Sequence, residues 1–263
     1  METSIDTTRW YDRIWAALMF FTRLPLWRLH QPPQQAYATV VEHWPLAGWL
    51  TGGAMAAVVY GASLMFPPLV AAILAVATRL LLTGALHEDG LADFVDGFGG
   101  GAGDRQRTLD IMKDSHIGTY GVLALVVYTL LLTATLAAMA PRQAAMAVAV
   151  ADPYAKMLAA QLVMMMPYAR SQQQAKAKTV YRRMSTPATI SLAVQGLLPM
   201  AVFLYLFRQE VDWQIVVFAP CLVMYFLYRL IYSRLKGYTG DCCGAVFLLV
   251  ELTTLMAIAL HTL

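Results

Sequence analysis

The sequence predicts an all-α fold, a polytopic bundle of transmembrane helices, and three observations carry that expectation. Of 263 residues, 59% are hydrophobic and only 13% charged, which leaves too little polar surface to coat a soluble globule. Apolar runs of the roughly 20 residues needed to cross a hydrocarbon core recur along the chain. Lysines and arginines collect in alternate connections between those runs, as cytoplasmic loops do.

The runs fall at about 45–66, 68–86, 118–140, 143–165, 187–207, 212–232 and 243–263, about seven spans. Ahead of them, "METSIDTTRWYDRIWAALMFFTRLPLW" carries Glu2 and Asp6 before its apolar part and is interrupted by Arg23. It lacks the basic leader and small-residue cleavage site of a secretory signal, so it predicts an interfacial or re-entrant helix, with a short first span as the alternative. Arg9, Arg13, Arg23 and Arg28 precede the first span, and Arg105, Arg107 and Lys113 follow the second. Arg170, Lys176, Lys178, Arg182 and Arg183 follow the fourth, and Arg234 and Lys236 precede the last; the intervening turns hold only Arg142 and Arg208. This pattern puts the N-terminus and the basic loops in the cytoplasm and the C-terminus outside. The net charge of +3 therefore reports topology, and no nucleic-acid partner is expected. Cys221, Cys242 and Cys243 have neither a zinc spacing nor a disulfide framework. With no internal repeat and no long linker, residues 1–263 read as one integral membrane domain, with catalytic loops near 87–117, 167–186 and 233–242.

The densest charge is "HEDGLADFVDGFGGG", residues 87–101, with Glu88, Asp89, Asp93 and Asp96 within ten residues. If the second span's helix continues, or a new one begins, through Asp89, then Asp93 lies about 40° from it and Asp96 about 20° to the other side. Three carboxylates on one face repel unless a divalent cation intervenes, and oxygen-only ligands favour Mg²⁺, Mn²⁺ or Ca²⁺ over zinc. The same spacing also suits a solvated acidic loop.

Next, the glycine-rich run 99–103 reads as a hinge, and "DRQRTLDIMKDS" has helical spacing, with Asp110 and Asp114 on one face. Arg105, Arg107 and Lys113 stand beside these acids. Carboxylates for a metal and cations for phosphate oxygens together are what phosphoryl transfer requires, although positive-inside bias also places bases here. A third patch, "RLKGYTGDCCGA" at 234–245, carries Asp241 at the mouth of the last span, either a plain turn or a third wall of a site. Arg79, Asp152, Lys156, Arg229 and Glu251 fall within spans, where ionisable groups pair inside the bundle. Asp152 and Lys156, at i and i+4, suit each other and are left out of the site.

"HEDGLADFVDGF", "DRQRTLDIMKDSHIGTYG" and "TGDCCGA", in this order and spacing, resemble the cobalamin synthase family, the adenosylcobinamide-GDP ribazoletransferases or cobalamin-5'-phosphate synthases. "FFTRLPLW" (20–27) and "WPLAGWLTGG" (44–53) resemble that family's N-terminal portion, so the likeness runs over nearly the whole chain. "PYARSQQQAKAKTVYRRMS" (167–185) departs from it after Tyr-Ala-Arg, with glutamines and lysines. The resemblance implies a multi-pass enzyme of the bacterial inner membrane, its site facing the cytoplasm. With Mg²⁺ it would join α-ribazole or its 5'-phosphate to adenosylcobinamide-GDP and release GMP. Carried over by motif, Asp89 comes first, then Asp93 and Asp96 as metal ligands with it, and Asp114 and Asp241 as catalytic carboxylates. Arg105 and Lys113 would offset charge on the phosphates, Arg170 either reaches a phosphate or belongs to a plain cytoplasmic loop, and a homo-oligomer is left open.

Two other readings compete. A CDP-alcohol phosphotransferase also uses aspartates at helical spacing with Mg²⁺, but "DGLADFVDG" puts Ala-Asp where that motif has Ala-Arg. A cation or metabolite transporter predicts acids near mid-membrane and paired repeats, whereas this chain masses its acids on one face.

Overall fold

The computed structural model describes residues 8–170 and 184–260, and within them the chain is helical. Glu2, Asp6, Lys176, Lys178, Arg182, Arg183 and the end of the expected final span lie outside the described residues. The helices are α1 (Trp10–Phe21), α2 (Trp44–Ser63), α3 (Pro68–Thr83), α4 (Leu86–Gly100), α5 (Arg105–Ile111), α6 (Thr119–Ala138), α7 (Pro141–Met165), α8 (Thr186–Leu206), α9 (Trp213–Leu235) and α10 (Gly240–Ala259). Prolines stand in the first turns of α2, α3, α7 and α8, where a missing N–H costs nothing and the fixed φ favours the helix.

Each expected apolar run corresponds to one long helix, but they are not equally apolar. Five segments, those containing α2, α6, α8, α9 and α10, are long and apolar enough to cross a membrane, or six if the broken pair α3–α4 counts as one. Of the seven expected runs, α3 has only 16 residues and reaches span length together with α4, and α7 has 25 residues but a less apolar composition that includes Asp152 and Lys156. Helix α1 has 12 residues, about 18 Å at 1.5 Å per residue, too short to span. Asp12 accepts the Arg9 N–H at 2.8 Å, and its other oxygen lies 2.5 Å from His30 Nε2, so α1 is tied to the segment leading to α2.

Helix α10 is central and mostly buried, whereas α6, α8 and α9 are mostly exposed and carry large apolar residues such as Leu123, Leu197 and Phe226 on their outer faces. A surface of that kind suits lipid, in which helices satisfy their own backbone groups. The chain is thus a multi-pass membrane protein. Helices α2 and α7 approach closely at Gly48, where an added Cβ would lie 2.8 Å from Asp152 Oδ1 and from the Pro153 backbone.

The feature that positions the acidic motif is a bend of 91° between α3 and α4. Gly84 and Ala85 both adopt left-handed backbone, φ +68° and +57°, which ends α3 and starts a new helix in another direction. Glycine suits the left-handed position at 84, and a Cβ there would also push aside the Arg23 side chain. Residues 86–100 form a new helix packed on α6 and α10, the arrangement in which Asp89, Asp93 and Asp96 share a face.

Candidate active site

Helix α4 distributes its acids by depth. Glu88 turns inward and meets Arg79 at 3.3 Å, as its offset from the Asp89 face predicts. Asp89 is exposed, Asp93 half-buried and Asp96 buried. Asp96 accepts the backbone N–H groups of Gly118 at 2.7 Å and Gly121 at 2.9 Å, so both its oxygens serve the first turn of α6. Seven residues of helix rise about 10 Å, which separates Asp89 from Asp96 even though they share a face. Among the described residues, no three His, Cys, Asp or Glu side chains converge to hold a metal ion.

The acidic motifs of α4 and α10 meet backbone to backbone. A Cβ on Gly90 would lie 3.2 Å from both the Cα and the carbonyl oxygen of Asp241, and one on Gly244 would lie 3.3 Å from the His87 carbonyl. Two glycines thus let the helices touch backbone to backbone, the small-residue packing that membrane helices use. Thr239 caps α10 by accepting the Cys242 N–H, which leaves Asp241 in its first turn.

At this crossing lies a cavity of about 320 Å³. Asp89, Gly90 and Asp241 line it together with Arg170, so three separate sequence patches meet there. Lys156 of α7, set aside on sequence grounds, also lines it, as do His87 and Tyr168. Lys156 Nζ contacts Asp152, as the i, i+4 spacing predicts, and Thr51 Oγ1 at 3.2 Å. Phe20 and Phe21 of α1, Trp44 of α2 and Phe247 of α10 give the remaining wall its aromatic surface, and Leu86, Ala159 and Cys243 add to it.

Arg170 reaches the cavity because the segment before it is clamped. Tyr168 pairs with Tyr238 in a parallel bridge, and the Ala169 N–H donates to the Tyr238 carbonyl at 2.8 Å. Burial pushes the phenols of both tyrosines above their usual range. Arg105 donates to the carbonyls of Leu235 at 2.8 Å and Ala169 at 2.6 Å, and Arg170 donates to Leu109 at 3.0 Å.

Other expected site residues stand outside the cavity wall. Asp93 lies one turn beyond Asp89 on α4. The helix expected to carry both Asp110 and Asp114 ends at Ile111, and Lys113 and Asp114 are exposed beyond it. The His116 ring, 2.7 Å away, and the His116 N–H at 3.0 Å hold the Asp114 carboxyl below the usual carboxylate range.

The model of the cobalamin-5-phosphate synthase family matches residues 13–259. The chain belongs to this family. It is 39% identical over 259 residues to an adenosylcobinamide-GDP ribazoletransferase of Azorhizobium caulinodans, covering 94% of both chains. A protein of the same name from Ralstonia pickettii is 35% identical over 247 residues, 93% of this chain and 94% of its own. One from Leptospira interrogans is 30% identical over 241 residues, 90% of each. No solved structure matches the chain. Membership in the synthase family makes the chain a transferase of cobalamin nucleotide-loop assembly, and it sets aside the CDP-alcohol phosphotransferase and transporter readings.

Proposed function

We propose that the chain transfers α-ribazole or α-ribazole-5'-phosphate to adenosylcobinamide-GDP with release of GMP, yielding adenosylcobalamin or its 5'-phosphate, in a cavity facing the cytoplasm from the inner membrane. The observation that carries the proposal is the meeting of Asp89 and Asp241 across the Gly90 and Gly244 contact, beside Arg170 and Lys156.

The donor set fits Mg²⁺. Asp89 and Asp93 offer oxygen only, and Mg²⁺ is commonly held by one or two carboxylates with substrate phosphates and waters completing its shell, so a three-acid cage is not needed. Asp89 and Asp93 would hold the ion; Asp96 is left out of the ligand set because both its oxygens accept backbone N–H groups of α6. When bound, the ion neutralises charge on the pyrophosphate oxygens. Arg170 attracts the same oxygens from the cavity wall, a role assigned to it in preference to Arg105 and Lys113, which do not line the cavity.

In the reaction, the ribose 3'-hydroxyl oxygen bonds to the phosphorus attached to cobinamide, and the bond from that phosphorus to the bridging oxygen breaks. GMP leaves with the bridging oxygen, and the hydroxyl proton passes to a carboxylate. Asp241 is assigned that role because it lines the cavity, whereas Asp114 is exposed and engaged by His116. The test is turnover by protein in liposomes supplied with adenosylcobinamide-GDP and α-ribazole-5'-phosphate, with and without Mg²⁺. Stoichiometric, metal-dependent formation of corrinoid product and GMP is expected; folded protein that forms neither would overturn the proposal.

A further inference from the structure

We propose that the aromatic half of the cavity seats the base of α-ribazole, and that His87, Phe21, Trp44 and Phe247 determine which base is accepted. This rests on the transferase reading and adds to it the part of the substrate that the cavity discriminates.

The cavity is graded by depth. Asp89 is exposed at the mouth, Asp241 and Arg170 are each 9% exposed, and Phe21, Trp44, His87 and Phe247 fall to between 2% and 4%. Groups suited to phosphate and ribose therefore lie outward and aromatic surface lies inward. The His87 ring is stacked parallel to Phe21, with centroids 5.4 Å apart and planes within 12°, and lies 4.4 Å from Phe247. Both His87 ring nitrogens are buried without a hydrogen-bond partner among the described residues. An imidazole in that condition is costly unless a ligand supplies the partner. Lys156 Nζ, 3.9 Å from the Phe247 centroid, is committed to Asp152 and Thr51.

The base of α-ribazole, 5,6-dimethylbenzimidazole, matches this wall. It is flat and apolar, carries two methyl groups, and leaves one ring nitrogen as an acceptor for a single His87 N–H. Guanine presents N–H donors as well as acceptors along its edge, more than the aromatic half answers. A corrin macrocycle is too large for about 320 Å³, so cobinamide must stay outside the mouth.

The experiment uses full-length protein in liposomes with Mg²⁺. Steady-state constants are measured for the α-riboside 5'-phosphates of 5,6-dimethylbenzimidazole, benzimidazole and adenine, and separately for adenosylcobinamide-GDP. Wild type is compared with Phe247→Leu, Trp44→Phe, His87→Ala and His87→Gln. Wild type should favour dimethylbenzimidazole over benzimidazole by about fifteenfold in kcat/KM, at about fourfold per buried methyl. In Phe247→Leu that ratio should collapse toward one, and KM for α-ribazole-5'-phosphate should rise about tenfold while KM for adenosylcobinamide-GDP stays constant. His87→Gln, which keeps a donor, should retain more of the affinity than His87→Ala. A rise confined to KM for adenosylcobinamide-GDP would put guanine in the pocket and overturn the assignment, as would unchanged base preference in the folded variants Phe247→Leu and Trp44→Phe. Absence of product from wild type would instead overturn the transferase reading itself.

Discussion

Asp114 and Asp241 look alike in the sequence, each an aspartate among glycines and bases near a span, yet only Asp241 faces the cavity. Asp241→Asn should lower kcat by about 10²–10⁴-fold if its carboxylate takes the hydroxyl proton. Asp114→Asn should stay within a few-fold of wild type, and the two rates measured side by side distinguish the roles. Because His116 holds Asp114 below its unfolded pKa, the pair contributes stability above the unfolded pKa that is lost as pH falls through the folded value. Melting of Asp114→Asn against wild type should therefore converge at acid pH. Adjacent glycines made Asp89 and Asp241 legible as points of close approach, and Arg170 was legible only through the family-like Tyr-Ala-Arg that carries it. His87 and Lys156 were not: one is masked by its acidic neighbours, and the other already has a partner at i−4. Their proximity to the site arises from contacts far apart in sequence, with Phe21 and Phe247.

At the scale of elements, hydropathy located every long helix, but not the turn that aims α4. Gly84 was a weak signal for the 91° bend, and left-handed Ala85 gave none, because alanine favours a continuous helix. The crossing of α4 and α10 is more exacting. Gly90→Ala adds a methyl against the Asp241 backbone, which has no rotamer to yield, and overpacking of this kind typically costs about 1–3 kcal/mol. The expected outcome is a protein that still inserts and folds but turns over at least about tenfold more slowly, because the helices bearing Asp89 and Asp241 separate. Normal turnover by Gly90→Ala would show that the crossing is not what aligns the two acids. Arg105 acts at this scale too: its bonds to Leu235 and Ala169 join α5 to the end of α9 and to the segment that carries Arg170. Arg105→Lys cannot reproduce a guanidinium fork held by two carbonyls and should raise KM for adenosylcobinamide-GDP through loss of Arg170 placement.

Across the whole molecule, Arg79 ties four helices together. From α3 it contacts Glu251 of α10, Glu88 of α4 at 3.3 Å and the Tyr128 hydroxyl of α6 at 2.6 Å, all buried. The sequence identified Arg79 and Glu251 as groups that must pair, but not with which partners, because the array closes only when α10 is threaded through the centre. Arg79→Met leaves two carboxylates buried without their cation and should destabilise the protein by about 3–5 kcal/mol, seen as a lower melting temperature in detergent. Arg79 does not line the cavity, so the surviving folded fraction should keep its KM values. Asp89 presents the opposite case. It is exposed and lies outside that array, so its removal should cost chemistry and spare the fold. The decisive measurement is Mg²⁺-dependent GMP release by Asp89→Asn beside wild type in the same liposomes. A fall in kcat of at least about 10²-fold with unchanged melting is predicted; turnover within a few-fold of wild type would contradict a site built on Asp89.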